Sequence, residues 1–447
     1  MNKKVSVSIL VTTVIIAMTV TFSITMVVSM RLFDRTVASV KEKESMYSKI
    51  AEIDKYVRAY DFYGIDESTL NDTIASGYLL GTGDRYARYY TAAAYSELLD
   101  IQSGKIVGIG VEAVKDSVTG YAKVTRVYPG SPAADLGLEK GCYITAIDET
   151  DVKTVSSQEG IAARLRGESG TTVTIKWLTA ALEEKNDTLT RRSYTAASIE
   201  YSLLNDRCGY LRISRFDDTT ASELDYAIGQ LTAAGAQSLV FDLRDNAGGV
   251  LDNAVECIDL ICPESTIASI QYKNGSIEAL GKSDEDTQIT LPLVCLVNGN
   301  TASAAELFAY SLRALNGARL VGENTMGKGT VQSSPQRMSD GSAIVITVGR
   351  LLTCNGESFD GVGLTVDVER VLTADEQTMY YDYTADTDPQ IQRALAVADN
   401  LTGNATVGSS ENASSGASSE PEQEGEADAS SAEQDGAASA ADSQPEG

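Results

Sequence analysis

The chain contains no histidine in 447 residues. This removes every Ser-His-Asp and Cys-His arrangement, every imidazole-ligated metal site, and the side chain that ordinarily titrates near neutrality. A hydrolase built on this chain must take its protons with another group. Basic residues are also in the minority: 36 Lys and Arg stand against 63 Asp and Glu, a formal charge of -27, with no local basic stripe. That argues against nucleic acid as a partner. Cysteines are few and scattered (Cys142, Cys208, Cys257, Cys262, Cys295, Cys354), without a CxxC pair or regular spacing. They support neither a zinc site nor a disulfide framework and read as small buried hydrophobes, with one bridge left open. No metal or other cofactor is expected.

Hydrophobic residues make up 43% of the chain, enough for a sizeable core divided over two or three domains. Residues Val5 to Met30 carry no charge and are flanked by Lys3, Lys4, Arg31, Asp34 and Arg35. At about 1.5 Å per residue such a stretch spans a hydrocarbon core of about 30 Å. It is expected to be an uncleaved anchor over residues 1–35, a cleaved signal being the alternative. The N-terminus would lie inside and the body outside, giving a single-pass protein of the cell membrane with an extracytoplasmic catalytic body.

Residues 36–100 show helical spacing in Val37, Val40, Met46, Ile50, Ile53 and Val57, and again over 68–80, before a cluster of tyrosines. Between 101 and 185, short alternating apolar runs are punctuated by Gly and Pro turns, with small helices after Pro129 and at 160–165. From 186 to 401, strand-like runs alternate with helices: strands at 238–243, 291–297 and 318–321, helices at 251–261 and 302–315, an extended strand at 343–352 and a closing helix at 389–401. This pattern predicts βαβ crossovers and a sheet covered by helices. Residues 402–447 turn abruptly to Ser, Ala, Gly and acidic residues, a composition expected to be disordered.

Lys328 lies in Gly322-Glu-Asn-Thr-Met-Gly-Lys-Gly329, close to the phosphate-cradling G-x-x-x-x-G-K-[ST]. Gly329 replaces the Mg²⁺-binding hydroxyl and the following residues start a helix poorly, so a nucleotide site is disfavoured. Elsewhere, the strand at 291–297 runs into Asn298-Gly-Asn-Thr-Ala-Ser303-Ala304-Ala-Glu306 and then a helix. A serine at that junction can stand above the sheet, facing first-turn N–H groups. A second Gly-rich turn, Asp242-Leu-Arg-Asp-Asn-Ala-Gly248-Gly249, offers amides that together with Ala304 would form an oxyanion hole.

Taken together, FDLRDNAGG, VNGNTASAAE, VGENTMGKGTVQ and DGSAIVITVGRLLTCNGESFDGVGLTVD resemble, in family order, the carboxy-terminal processing peptidases (tail-specific proteases), Ser-Lys serine peptidases. The resemblance covers roughly residues 56–401. It implies a multidomain α/β (α+β) chain: membrane helix, helical segment, PDZ domain at 101–185, crotonase/ClpP-like α/β peptidase core at 186–401, and disordered acidic tail. It implies Ser303 as nucleophile, Lys328 as base, Gln332 as the residue orienting the lysine, and Gly249 and Ala304 as oxyanion donors. Gly108, Ile109, Gly110 and Val111 would form the carboxylate-binding loop of the PDZ domain, which by family analogy also gates the site. Ala247 and Ala305 depart from the family's common Pro and Ser at positions that carry no chemistry.

The physics suits a chain without histidine. A lysine of ordinary pKa, about 10.4, must fall by roughly 3 units, or about 4 kcal/mol, to act as a base near neutrality. Burial supplies this, and an amide at Gln332 adds no negative charge to oppose it. The expected partners are peptides with free C-termini, captured by strand addition, and the membrane; a homo-oligomer or an activating partner stays open. A catalytically silent PDZ scaffold that binds protein tails is the main alternative, followed by an isomerase or hydratase on a crotonase-like core.

Overall fold

The computed structural model describes residues 7–284 and 289–403. Its first element is a helix of 54 residues, Val7–Tyr60, which runs without a break from the expected anchor into the expected helical region. Ile16, Met18, Val20, Phe22, Ile24 and Met26 are all exposed on it. Among the described residues no helix is long and apolar enough to cross a membrane. Residues 1–6 of the expected anchor, and the expected acidic tail from residue 404 on, lie outside the described residues.

A second helix, Glu67–Gly81, begins where the Asp66 carboxylate accepts the N–H groups of Ser68 and Thr69 at 3.0 and 3.1 Å. The chain then extends as Arg88–Tyr90, which pairs antiparallel with Ala343–Val345 from the far end of the sequence. No local pattern announces that pairing.

Next comes an antiparallel sheet whose strands follow in spatial order Val111–Lys115, Ala122–Val127, Tyr143–Ile147, Thr172–Leu178 and Glu184–Thr190, with Thr150–Asp151 paired beside the third. Along Thr172–Leu178 every second residue is buried, Val173, Ile175 and Trp177, as one covered face requires. Helices Pro132–Leu136 and Gln158–Leu165 close that face with Ala133, Ile161 and Leu165.

The remaining chain builds a six-stranded sheet in the order Ile199–Leu204, Cys208–Ile213, Ser238–Asp242, Leu293–Val297, Arg319–Gly322, Val368–Glu369. The first pair is antiparallel and the rest are parallel. Ser238–Asp242 and Leu293–Val297 are buried at every residue, the signature of strands covered on both faces. Thr220–Ala233, Leu251–Asp259 and Ala304–Asn316 pack on one face, and Pro389–Leu401 on the other. Mixed α/β architecture with βαβ crossovers is thus present. A hairpin, Ser265–Tyr272 with Ile277–Ser283, joins Thr347–Thr353 and Thr330–Gln332 in a second, antiparallel sheet. Because Asp242 lies opposite Leu296 in parallel register, the turns leaving both central strands emerge side by side, where open α/β sheets place their ligands.

Candidate active site

The two turns are laced together before any catalytic group is considered. Thr301 Oγ1 donates to the Leu243 carbonyl at 2.8 Å, and the Ala302 N–H donates to the Asn246 carbonyl at 2.9 Å. Asp245, held at a positive φ of 61°, accepts from Asn298 Nδ2, Asn300 Nδ2 and the Tyr380 hydroxyl. Arg244, buried, bonds Asp242, Asp388 and Gln390, and so pins the closing helix to the same turn. Asn246 is wholly buried; its Nδ2 donates to the Ile213 carbonyl and its Oδ1 accepts from the Gly248 N–H.

Ser303 follows at the head of helix Ala304–Asn316 with φ 58° and ψ -118°. A side-chain-bearing residue holds such a conformation only when its surroundings fix it, at a cost of about 1–3 kcal/mol. The fixing group is Glu306. Fully buried, its Oε2 accepts the N–H groups of Ser303 (2.8 Å) and Lys328 (2.9 Å), and its Oε1 accepts Thr325 Oγ1 (2.5 Å) and the Gly327 N–H (2.7 Å). One carboxylate therefore ties the serine backbone to the lysine backbone. The Ser-x-x-Glu spacing of a capping box carries this signal in the sequence, and sequence reasoning passed over it.

Gly249 sits at φ 145°, in a parallel bridge with Phe216. Phe216 bonds the neighbours on either side, accepting from Val250 and donating to Gly248, each at 3.0 Å, so the Gly249 amide is turned away from it. A Cβ at this position would lie 2.1 Å from the Phe216 carbonyl oxygen, which only glycine avoids. Gly248 packs against Ser303 Cβ and the Ala304 nitrogen. Ala304 is the first helical residue, whose N–H has no partner within the helix. Gly249 and Ala304 thus flank Ser303 on adjoining turns.

Lys328 is half-buried, and burial pushes its amine below the ordinary lysine range; the Arg88 charge adds to this and Glu306 opposes it. Its neighbour Gly329 packs so closely on Asp360 that a Cβ would stand 2.7 Å from the Asp360 backbone nitrogen. The amine lies 5.0 Å from the centre of the Tyr86 ring. Among the described residues no hydrogen bond joins Lys328 Nζ to Ser303 Oγ, or to Gln332. The Gln332 amide instead donates to Thr330 Oγ1 (3.0 Å) and Thr347 Oγ1 (3.4 Å). The expected contact between Gln332 and the lysine is not made in this conformation, where Thr347, itself held by Asp84, accepts from the amide. Catalytic hydrogen bonds often tighten only once substrate is bound.

The residues from 207 to 370 match the family model for peptidase family S41, and those from 123 to 179 match a PDZ domain. The carboxyl-terminal-processing protease of Synechocystis is 34% identical over 337 residues, covering 74% of this chain and 76% of that one. The chain belongs to peptidase family S41. It is a serine-type peptidase carrying a PDZ domain. The carboxy-terminal processing protease CtpA of Bacillus subtilis is 29% identical over 361 residues, covering 79% of this chain and 76% of the relative. In three dimensions an S41-type protein of Bacteroides fragilis superimposes with a TM-score of 0.51 at 18% identity, covering 76% of this chain and 92% of that one, a likeness of fold.

In this S41 peptidase the loop Gly108, Ile109, Gly110, Val111 enters the edge strand of the PDZ sheet. The Ile109 and Gly110 carbonyls are tied down by the N–H groups of Ala133 (2.8 Å) and Tyr128 (3.0 Å). An antiparallel bridge ties Gly108 to Arg166 beside the loop; among the described residues nothing accepts from the Gly110 N–H, which suits capture of a carboxylate. The strand edge beyond the loop is already taken. Gln158, first residue of helix Gln158–Leu165, donates through Nε2 to the Ala113 carbonyl and accepts the Lys115 N–H at 2.9 Å. Its amide occupies the groups an incoming peptide strand would use. Gln158→Ala should therefore tighten binding of an unstructured C-terminal peptide by about tenfold, the worth of one to two hydrogen bonds no longer displaced. Fluorescence anisotropy reads this directly; an unchanged or weaker Kd would show that Gln158 does not compete. A cleft of about 1100 Å³ runs from this groove to the core, its walls including Ile109, Ala113, Gln158, Arg212, Asp245 and Tyr380, but neither Ser303 nor Lys328.

Proposed function

We propose that this chain is a membrane-anchored serine endopeptidase that cleaves extracytoplasmic proteins near their C-termini. The observation that carries the reading is the half-buried lysine, its pKa lowered, joined through Glu306 to a strained serine at a helix head. In the proposed reaction the neutral Lys328 amine takes the Ser303 hydroxyl proton as Oγ attacks the peptide carbonyl. The N–H groups of Gly249 and Ala304 hold the oxyanion. Lys328 then passes the proton to the departing amine. Water, giving a proton to the same lysine, hydrolyses the acyl-serine and regenerates both groups. Gln332 would swing from Thr347 to the amine in the engaged state.

The PDZ groove selects the substrate end: the loop amides take the terminal carboxylate and the strand edge pairs with the residues before it. The names of the Synechocystis and Bacillus relatives support processing at C-termini. The charge-free run Val5 to Met30, with exposed apolar side chains from Ile16 to Met26, supports the anchor.

The test uses the full-length chain extracted from membranes with detergent. A fluorophosphonate should modify Ser303, and an unfolded polypeptide with a free C-terminus should be cut faster than its amidated twin. Absence of a Ser303 adduct, or binding of the tail without any cleavage, would sink the protease reading in favour of a silent scaffold. Recovery of the chain in the soluble fraction after an alkaline wash would remove the anchor.

A further inference from the structure

The segment Asp84–Arg88 precedes the PDZ region in sequence, yet it lies against the catalytic lysine. Asp84 grips Thr347 twice, Oδ2 accepting its N–H at 2.8 Å and Oδ1 its hydroxyl at 2.9 Å, while Oδ1 also accepts the Tyr86 N–H at 3.0 Å. Thr347 in turn holds the Gln332 amide. Arg88 is fixed from both sides: its backbone pairs with Val345, and its Nη1 donates to the Arg85 and Ala87 carbonyls, each at 2.8 Å. Between these anchors the Tyr86 ring covers Lys328 Nζ, with Arg85 stacked on the ring at 4.7 Å.

We propose that Asp84–Arg88 forms a wall of the active site, with Tyr86 and Arg88 as positioning residues for the Lys328 amine. The inference rests on the Ser-Lys reading above and assigns it parts that no motif in the sequence supplied. The two residues act differently. An aromatic face by itself favours an ammonium, so Tyr86 contributes place and dryness. Arg88 contributes a like charge, which makes protonation of the amine less favourable. The other titratable or charged groups about the amine are Glu306 on the helix side, Asp360 behind Gly329, and Asp84 and Arg85 behind Tyr86. Of the near charges Glu306 works against Arg88.

The signs follow directly. A base must be neutral, so activity rises with pH through the lysine pKa, and removing the like charge moves that rise to higher pH. Because Arg88 is exposed, the expected displacement is about half a pH unit at low salt. It should vanish in about 1 M salt, where screening acts within about 3 Å.

Two measurements on the full-length chain test this. The first is the pH dependence of acetic-anhydride labelling of Lys328, read by mass spectrometry in the Ser303→Ala chain, which needs no catalysis. Arg88→Gln should raise the midpoint, Arg88→Lys should not, and salt should bring the unsubstituted Arg88 chain to the Arg88→Gln value. The second is the acid limb of kcat/KM, which should move in parallel; Tyr86→Ala should lower kcat about tenfold, and Tyr86→Phe, which keeps the ring, should recover most of that loss. A midpoint indifferent to Arg88→Gln, or Tyr86→Ala equal to wild type, would overturn the inference. A labelling shift in a chain that never cleaves peptide would instead sink the protease reading and leave the arrangement around Lys328 standing.

Discussion

Lys328→Met should lower kcat/KM by about 10⁴-fold while leaving the fold standing. Methionine keeps the length of the half-buried stem and removes only the amine, and the backbone N–H that Glu306 accepts is untouched. The near-ultraviolet spectrum and melting temperature should therefore stay close to wild type. Residues that act as one unit are not additive, so the Ser303→Ala, Lys328→Met pair should be no slower than Ser303→Ala alone. Activity that survives Lys328→Met would mean that another group takes the proton. With no histidine in the chain, that group would be a carboxylate or water.

Glu306→Gln is expected to combine a structural and a catalytic loss. Each carboxylate oxygen accepts two donors. In an amide one of the two atoms becomes an NH₂ that faces donors, leaving two buried groups unsatisfied at about 1–3 kcal/mol each. Unfolding free energy should fall by about 2–6 kcal/mol, and kcat by about 100-fold as Ser303 and Lys328 lose their common tether. The pH profile separates tethering from mere instability. Glu306 raises the Lys328 pKa, so removing its charge should carry the acid limb to lower pH even as the rate drops. Wild-type kcat with a wild-type melting temperature would show that the tether is dispensable.

The parts of the site that the sequence displays are those carried by local punctuation. Asn298-Gly299 directly follows the apolar run Leu293–Val297, and Gly248-Gly249 closes the turn that leaves Ser238–Asp242; both mark exits from buried strands. The parts it hides depend on distant contacts. Tyr86 and Arg88 read as an unremarkable tyrosine-rich stretch, because what places them is pairing with Ala343–Val345 and the Asp84 grip on Thr347. Glu306 reads as an ordinary helix-start residue until its partners at 325, 327 and 328 fold over it. The family resemblance implies Gln332 as the partner of Lys328, and the structure gives its amide to Thr330 on its own strand and Thr347 on the neighbouring one. The hairpin Ser265–Ser283 was overlooked although Asn274-Gly275 marks its turn, because its strands alternate weakly and Gly281 interrupts the second.

The spread of the site along the chain bears on when it comes into being. Tyr86 and Asp84 are made early, Ser303 and Lys328 late, and Asp360, which holds the Gly329 N–H, later still. A ribosome must release nearly the whole body before these pieces meet, and contacts so remote in sequence close slowly. The unfinished polypeptide is thus inert, unable to cut itself or its neighbours during synthesis.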